Sequence, residues 1–531
     1  MNLPAWGKIL YRKQISDNRS TAVPWQVAVL LALLFGVVVV RTAWLNDDAY
    51  ITFRVVDNFL HGYGLTWNPG ERVQVSTHPL WLGLLILAQL VSGELYYSSL
   101  ALSIVLSVFG LFWLNWRMAK GVGTAVLATL TLTLAKSYMD YATSGLENPL
   151  SHLLIILFFY YYWANGRENG RQSLLPLTLL LALAMLTRTD LLLLLAPPLA
   201  LTYLAPKKFT IHHFLRPLLL GLTPLIAWEL FSLIYYGFPF PNTAYAKAFN
   251  TGIPAADLAR QGWLYLRNSW HWDPLTLTVT AVALLRALTT RQLKPLAAAA
   301  GILLYLAYVV KIGGDFMSGR FLAAPLLTAV LILIQHPPHF VQRWWEVMGV
   351  VTAVTWLGWQ ANYPTLLSGP DYGAQPAYET NSRDEDIADE RIFYYPNTGL
   401  TGPHLPQPWI EQAKIARSES QPFVERGNIG FFGYFVGPQT YILDHYALSD
   451  ALLARLPVDN PADWRVGHLR RTPPPGYVET LQSGQNQLAD PQLAAYYDHL
   501  HLIIRGPLWT WPRLQTIWRT NTGQYDYLLK K

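Results

Sequence analysis

The chain alternates long apolar runs with short loops in which most charges are Lys or Arg, and that alternation leaves few folds open. The hydrocarbon core of a bilayer takes about 20 apolar residues per helix, within roughly 17 to 25. Runs of this kind lie at approximately 24–43, 98–116, 122–139, 149–164, 173–187, 191–206, 214–236, 274–290, 295–311, 320–336 and 344–362. The pair 173–187 and 191–206 is one apolar stretch split by Thr187-Arg188-Thr189-Asp190. Only 14% of the 531 residues are charged, against about 25% in soluble proteins. So few charges cannot cover a soluble surface of this size. The same composition excludes disorder, and the absence of cysteine excludes disulfide scaffolds, thiolate metal sites and a thiol nucleophile.

The charges sort by position. Residues 1–362 hold 25 Lys+Arg and 15 Asp+Glu, whereas residues 363–531 hold 14 and 18. The first part reads as a membrane region and the second as a more polar domain. The positive excess lies between apolar runs, so it carries no implication of nucleic acid. The leader bears Lys8, Arg12, Lys13 and Arg19, which the positive-inside rule keeps in the cytoplasm. No small-residue cleavage site follows the first run, which therefore reads as an uncleaved signal anchor. Pro79–Val91 is too short to span and is expected to lie in the outer interface. With that placement the loops holding Arg117/Lys120, Arg167/Arg171, Lys207/Lys208/Arg216, Arg286/Arg291/Lys294 and Arg343 all face the cytoplasm. The sequence thus predicts an α-helical polytopic membrane protein of about 11 transmembrane helices. Its C-terminal region, 363–531, is expected outside as a small α/β domain, from its short runs punctuated by Gly and Pro.

Chemistry then falls to the outer loops. Asp47-Asp48 follows the first span, and adjacent carboxylates raise each other's pKa, which suits a base. His78 precedes Pro79 at a helix start, and Glu147 precedes the helix that Pro149 opens. Arg188 and Asp190 interrupt the Leu-rich run at a depth where unpaired charge is expensive. Asn242, Tyr245 and Lys247 lie in the fourth loop, Asp315 and Arg320 in the fifth. Each has an ordinary reading on its own: an acidic loop, a cap, a helix-start carboxylate, a structural ion pair, an interfacial anchor. Together they bring carboxylates, amides and cations to one membrane face. That set suits transfer of a sugar from a lipid phosphate to an acceptor hydroxyl. The departing phosphate needs cations, and the hydroxyl needs a base within about 3 Å. Phosphate-binding Gly-rich loops, Gly-x-Ser-x-Gly and His-Glu-x-x-His are absent from the sequence.

The block NDDAYITFRVVDNFLHGYGLTWNPGERVQVSTHPLW (Asn46–Trp81) resembles the first outer loop of class C (GT-C) glycosyltransferases, most closely the mycobacterial terminal arabinofuranosyltransferase branch. TSGLENPL (Thr143–Leu150), LTRTD (Leu186–Asp190), FPNTAYAK (Phe240–Lys247) and GGDFMSGRFLAAP (Gly313–Pro325) follow in that family's order. So do GNIGFFGYFVGP (Gly427–Pro438), VGHLRRTPPPGY (Val466–Tyr477, with His468) and IWRTNTGQYDYLL (Ile517–Leu529). The resemblance implies a GT-C fold with residues 1–362 as its catalytic membrane domain. It implies a polyprenyl-phosphate sugar donor and a site on the outer face of the cytoplasmic membrane. It further implies inversion by single displacement with Asp47 or Asp48 as base, Asp47 being favoured. Arg188, Lys247 and Arg320 are then expected at the donor phosphate. His78, Glu147, Asp190, Asn242, Tyr245, Asp315, His468, Arg470 and Arg471 are expected at the substrates. D-Arabinofuranose is the first choice of sugar, mannose or aminoarabinose the alternatives, and the acceptor is a glycan, a lipid or a protein. Some class C enzymes use a divalent metal, and nothing in the sequence sets a ligand count here. A transporter or envelope scaffold is the reading from another class; it expects polar residues within the spans, which are instead almost wholly apolar.

Overall fold

The computed structural model describes residues 23–164, 174–204, 211–249, 251–338, 343–374 and 383–529. The leader cations Lys8, Arg12, Lys13 and Arg19, and the loop cations Arg167, Arg171, Lys207 and Lys208, lie outside these residues.

A helix occupies each of the eleven apolar segments. They are Trp25–Arg41, Tyr96–Trp113, Val122–Leu134, Asn148–Ala164, Leu174–Met185, Leu191–Leu204, Ile211–Tyr235, Pro274–Thr290, Leu293–Lys311, Ala323–Gln335 and Trp344–Trp359. Among the described residues three stretches, Tyr96–Met118, Phe214–Tyr235 and Leu293–Lys311, are individually long and apolar enough to cross a bilayer. Their rise of about 1.5 Å per residue matches a hydrocarbon core of roughly 30 Å. Ala323–Gln335 is apolar on every side and is buried along almost its whole length. It is surrounded by Pro274–Thr290, Leu293–Lys311, Asn148–Ala164 and Val122–Leu134. Ile211–Tyr235 is the opposite case. It sets Gly221 against Thr178 and turns Leu215, Leu219, Leu220, Ile226 and Leu230 outward. Rows of exposed aliphatic side chains on long helices are a surface for lipid, and the chain is a membrane protein.

Pro79–Ser92 is a helix opened by Pro79. It buries Trp81, Leu82 and Leu85 and exposes Leu87, Leu90 and Val91. The Trp81 indole donates to the Gly145 carbonyl at 3.1 Å, tying this helix to the loop that precedes Asn148–Ala164.

The C-terminal region is mainly helical, with two small sheets. Arg383–Asp384 and Ile387–Ala388 form a tight antiparallel hairpin. Phe423–Arg426 and Tyr441–Asp444 pair in parallel, with the helix Gly430–Val436 on the connection between them. Buried arginines bind this region to the rest through backbone carbonyls. Arg54, stacked over Trp67, donates to Trp67, Gly433, Gly437 and Thr440. Arg513 donates to Ile503 and Leu508, and to Ile234 and Tyr235 at the end of the long Ile211–Tyr235 helix. A guanidinium has five N–H donors, so one side chain can satisfy several buried carbonyls at once.

Candidate active site

The helix Asp47–Leu60 begins where Asn46 caps it, the Asn46 side-chain oxygen accepting from Asp48 N at 2.8 Å. That cap points the two acids at the first turn toward the C-terminal region. The Asp47 carboxylate accepts from Phe431 N at 2.6 Å, at the start of Gly430–Val436. The approach is so close that a Cβ on Gly430 would meet the Asp47 carbonyl oxygen and lie 2.6 Å from its Cγ. This is a physical reason for glycine in GNIGFFGYFVGP.

Asp47 and Asp48 line a cavity of about 150 Å3 with Lys247, Arg383, Glu390, Arg465 and His468, and with Phe393, Tyr394, Trp409, Asn428 and Tyr446 among its other walls. Burial pushes the Asp47 carboxyl up to about 7, against the pull of the Phe431 and Gly430 N–H groups and with help from Asp48. Burial also raises Asp48, opposed by Lys247 and Arg320. Lys247 reaches over the Phe316 ring at 5.9 Å and has no ion-pair partner among the described residues. His468 packs edge-on against Phe316 and Tyr446. Burial, aided by Arg465, pulls it down to about 3, so it is neutral. Gly467 beside it has a φ of 77°, and a side chain there would strike the Phe316 ring.

Most of the other expected residues form a buried ionic layer next to the cavity rather than its wall. Glu147 Oε1 takes Arg320 at 3.1 Å and Arg188 at 3.3 Å, and Oε2 lies 3.3 Å from His78 Nδ1. Burial alone would raise Glu147, but Arg320, His78 and Arg188 outweigh it and hold the carboxyl at about 2. Arg188 grips Asp190 with two nitrogens, at 2.6 and 3.1 Å. Arg320 also faces Asp315 at 3.6 Å. Burial lowers the His78 imidazole against the pull of Glu147, with Thr52 on Nε2 at 2.9 Å. Arg188 and Arg320 are thus committed to carboxylates, and Arg320, Asp315 and Glu147 act on Asp48 through their fields.

Three expected residues have structural bonds. The Asn242 amide donates to the carbonyls of Ala447, Leu448 and Asp450, fixing that loop. Tyr245 packs among Phe238, Phe240 and Phe249 under Arg455. Arg471 is 1% exposed and donates to Leu456, Leu469 and Ala246, the last of these one residue before Lys247. Its neighbour Arg470 is exposed and borders a second cavity.

Glu390, Arg383 and Arg465 were not singled out in the sequence. Glu390 accepts from the Asn46 side chain at 3.0 Å, and burial followed by Asp48 pushes it up to about 8. Its neighbours hold it in place. Asp389 pairs with Lys136 and Arg391 with Asp140, both at 3.0 Å. The loop after Leu293–Lys311 adds a bridge, Ala388 N donating to Phe316 O at 2.7 Å. No sequence signal separates Glu390 from Asp384, Glu385, Asp386 and Asp389 in the same acidic run. Among the described residues no three His, Asp or Glu side chains come together as a metal-holding group.

Two curated proteins are similar to this chain. A protein of Mycobacterium tuberculosis named terminal beta-(1->2)-arabinofuranosyltransferase is 29% identical over 453 residues, which are 74% of this chain and 69% of that protein. A protein of Corynebacterium glutamicum with the same name is 26% identical over 409 residues, 68% of this chain and 57% of that protein. No family model matches the chain, and no solved structure does. The chain therefore resembles two enzymes of the glycosyltransferase class, as its motifs led one to expect.

Proposed function

We propose that the chain is a membrane glycosyltransferase that moves arabinofuranose from a polyprenyl-phosphate donor to an acceptor hydroxyl on the outer side of the cytoplasmic membrane. The observation that carries the reading is the Asp47–Asp48 pair in a cavity that also holds the unpaired Lys247. The names of both relatives favour arabinofuranose over mannose or aminoarabinose. The eleven helices act as the spans, with Pro79–Ser92 in the outer interface and the C-terminal region outside.

In this mechanism Asp47 is the base. A carboxylate near pH 7 is basic enough to take a hydroxyl proton and still ionised often enough to act. The Phe431 N–H fixes its orientation. The acceptor oxygen loses its proton to Asp47 and bonds to the anomeric carbon as the bond to the phosphate oxygen breaks. The configuration inverts, and polyprenyl phosphate leaves. Lys247 meets the developing charge, and Arg383 and Arg465, on the same cavity wall, replace Arg188 and Arg320 as its partners. The ionic layer of Arg320, Glu147 and Asp315 biases Asp48 without contacting substrate.

The test is transfer by purified protein from synthetic polyprenyl-phosphate arabinofuranose. Sugar appearing on an acceptor is expected from wild type and not from Asp47→Asn. Absence of transfer from any polyprenyl-phosphate sugar would remove the reading.

A further inference from the structure

The block that begins at Ile517 does not line the cavity of Asp47 and Asp48. It starts inside the helix Trp511–Asn521, whose buried face is formed by Arg513, Thr516 and Ile517. That face is fixed at one place. The Arg513 guanidinium donates to the carbonyls of Ile234 at 2.7 Å and Tyr235 at 2.9 Å, in the last turn of Ile211–Tyr235. The Asn521 amide donates to Gly237 O at 2.8 Å. Gly237 lies so close that a Cβ there would meet Ile503 and stand 3.2 Å from Ile517. Trp511–Asn521 is therefore held at the end of a helix that turns Leu219, Ile226 and Leu230 to lipid.

Among the described residues little packs against the opposite face. Trp509, Trp511 and Trp518 are 74%, 75% and 67% exposed. Trp511 and Trp518 are seven residues apart, which is two turns, so they share one side of the helix, with Gln515 between them. Left in water, each indole would keep a large apolar face hydrated. Arg519 flanks the pair, is exposed and makes no ion pair among the described residues. The chain has no acid between Arg505 and Asp526. Indoles beside a cation, with no acid among them, match the head-group layer of a bilayer. There the rings reach the acyl boundary while the indole N–H and the guanidinium stay with water and phosphate. The position agrees: the lipid that covers Ile226 and Leu230 ends at the level where this helix is pinned.

We propose that Trp511–Asn521 is an interfacial helix that docks the C-terminal region on the bilayer surface, with Trp509, Trp511 and Trp518 among phospholipid head groups and Arg519 at their phosphates. The region is then attached to the membrane directly, and not only through the helices that cross it. The inference stands apart from the transferase reading, since it uses none of the cavity residues.

The chain has no cysteine, so Gln515→Cys offers one labelling site on the exposed face. The full chain carrying a nitroxide there is placed in nanodiscs of phosphatidylcholine and phosphatidylglycerol. Collisions of the nitroxide with dissolved oxygen and with a water-soluble nickel chelate report its depth. Oxygen should dominate, with the label about 5–10 Å into the interface. Adding Trp511→Ser and Trp518→Ser, which remove exposed side chains only, should bring the label back toward water by about 5 Å. Free access of the nickel chelate to the label in the otherwise wild-type chain overturns the proposal, and so does an unchanged depth when both Trp are replaced. Screening from oxygen and nickel alike would mean that protein covers this face, and overturns it as well.

Discussion

Replacing Asp47 by Asn should silence the enzyme and also stabilise it, the second effect growing with pH. Burial takes the Asp47 carboxyl from its ordinary 3.8 to about 7 in the folded chain. Each unit is worth about 1.4 kcal/mol, so an ionised Asp47 places about 4 kcal/mol on the folded state. Below about pH 4 the carboxyl is protonated in both states, and nothing is lost. As pH rises, the unfolded chain gives up its proton first, so stability falls. The full penalty is reached once pH passes about 7, where the folded carboxyl also ionises. Asp47→Asn removes this dependence and keeps an oxygen for the Phe431 N–H at 2.6 Å. The assay is thermal melting in detergent micelles at pH 5 and pH 8. The variant should melt a few degrees above wild type at pH 8, with less than half that gain at pH 5. Sugar transfer should fall by about a hundred-fold or more, the scale of a lost general base. Identical gains at the two pH values would refute the burial argument. Transfer within about three-fold of wild type would refute the base assignment.

Other perturbations separate the parts of the site. Glu390, held at about 8, is protonated at neutral pH and ionises above it, adding negative charge beside Asp48. The kcat/KM of wild type should therefore decline above about pH 8, and Glu390→Gln should remove that decline. Gly430→Ala drives a Cβ into Asp47, so transfer should drop about ten-fold or more and the acidic limb of the pH profile should move. Arg471→Ala strands the carbonyls of Leu456, Leu469 and Ala246 and should lower stability by about 3 kcal/mol or more, read as a fall in melting temperature; Arg470→Ala should leave it unchanged. A topology reporter placed after Ser92 should report from the outside; a cytoplasmic signal would invert the loops that follow.

The helices were legible because a bilayer imposes length and composition locally. Each apolar run between basic loops became a helix, and even the split at Thr187–Asp190 was visible as a polar break. Asp47 and Asp48 were legible for a related reason. Two adjacent acids at the end of an apolar run stand out when so few acids surround them. Arg188 and Arg320 show where that reasoning stops. Their position marked them as special, but a sequence does not say whether a cation faces a carboxylate or a ligand, and both face carboxylates.

Taken alone, the sequence determined the membrane character, the helix positions and the resemblance to arabinofuranosyltransferases, and it pointed to the two adjacent acids that line the cavity. These depend on residues close together in the chain, where spacing and composition suffice. Only the tertiary structure decided which polar groups share the cavity. Glu390 meets Asn46 across 344 positions, and Arg383, Arg465 and Trp409 arrive from a polar segment in which no charge is conspicuous. It also decided between Arg470, left free, and Arg471, spent on three carbonyls, two neighbours that a sequence cannot tell apart. The physical reason is that a charge's role is set by what desolvates and pairs it, and those partners are chosen by packing.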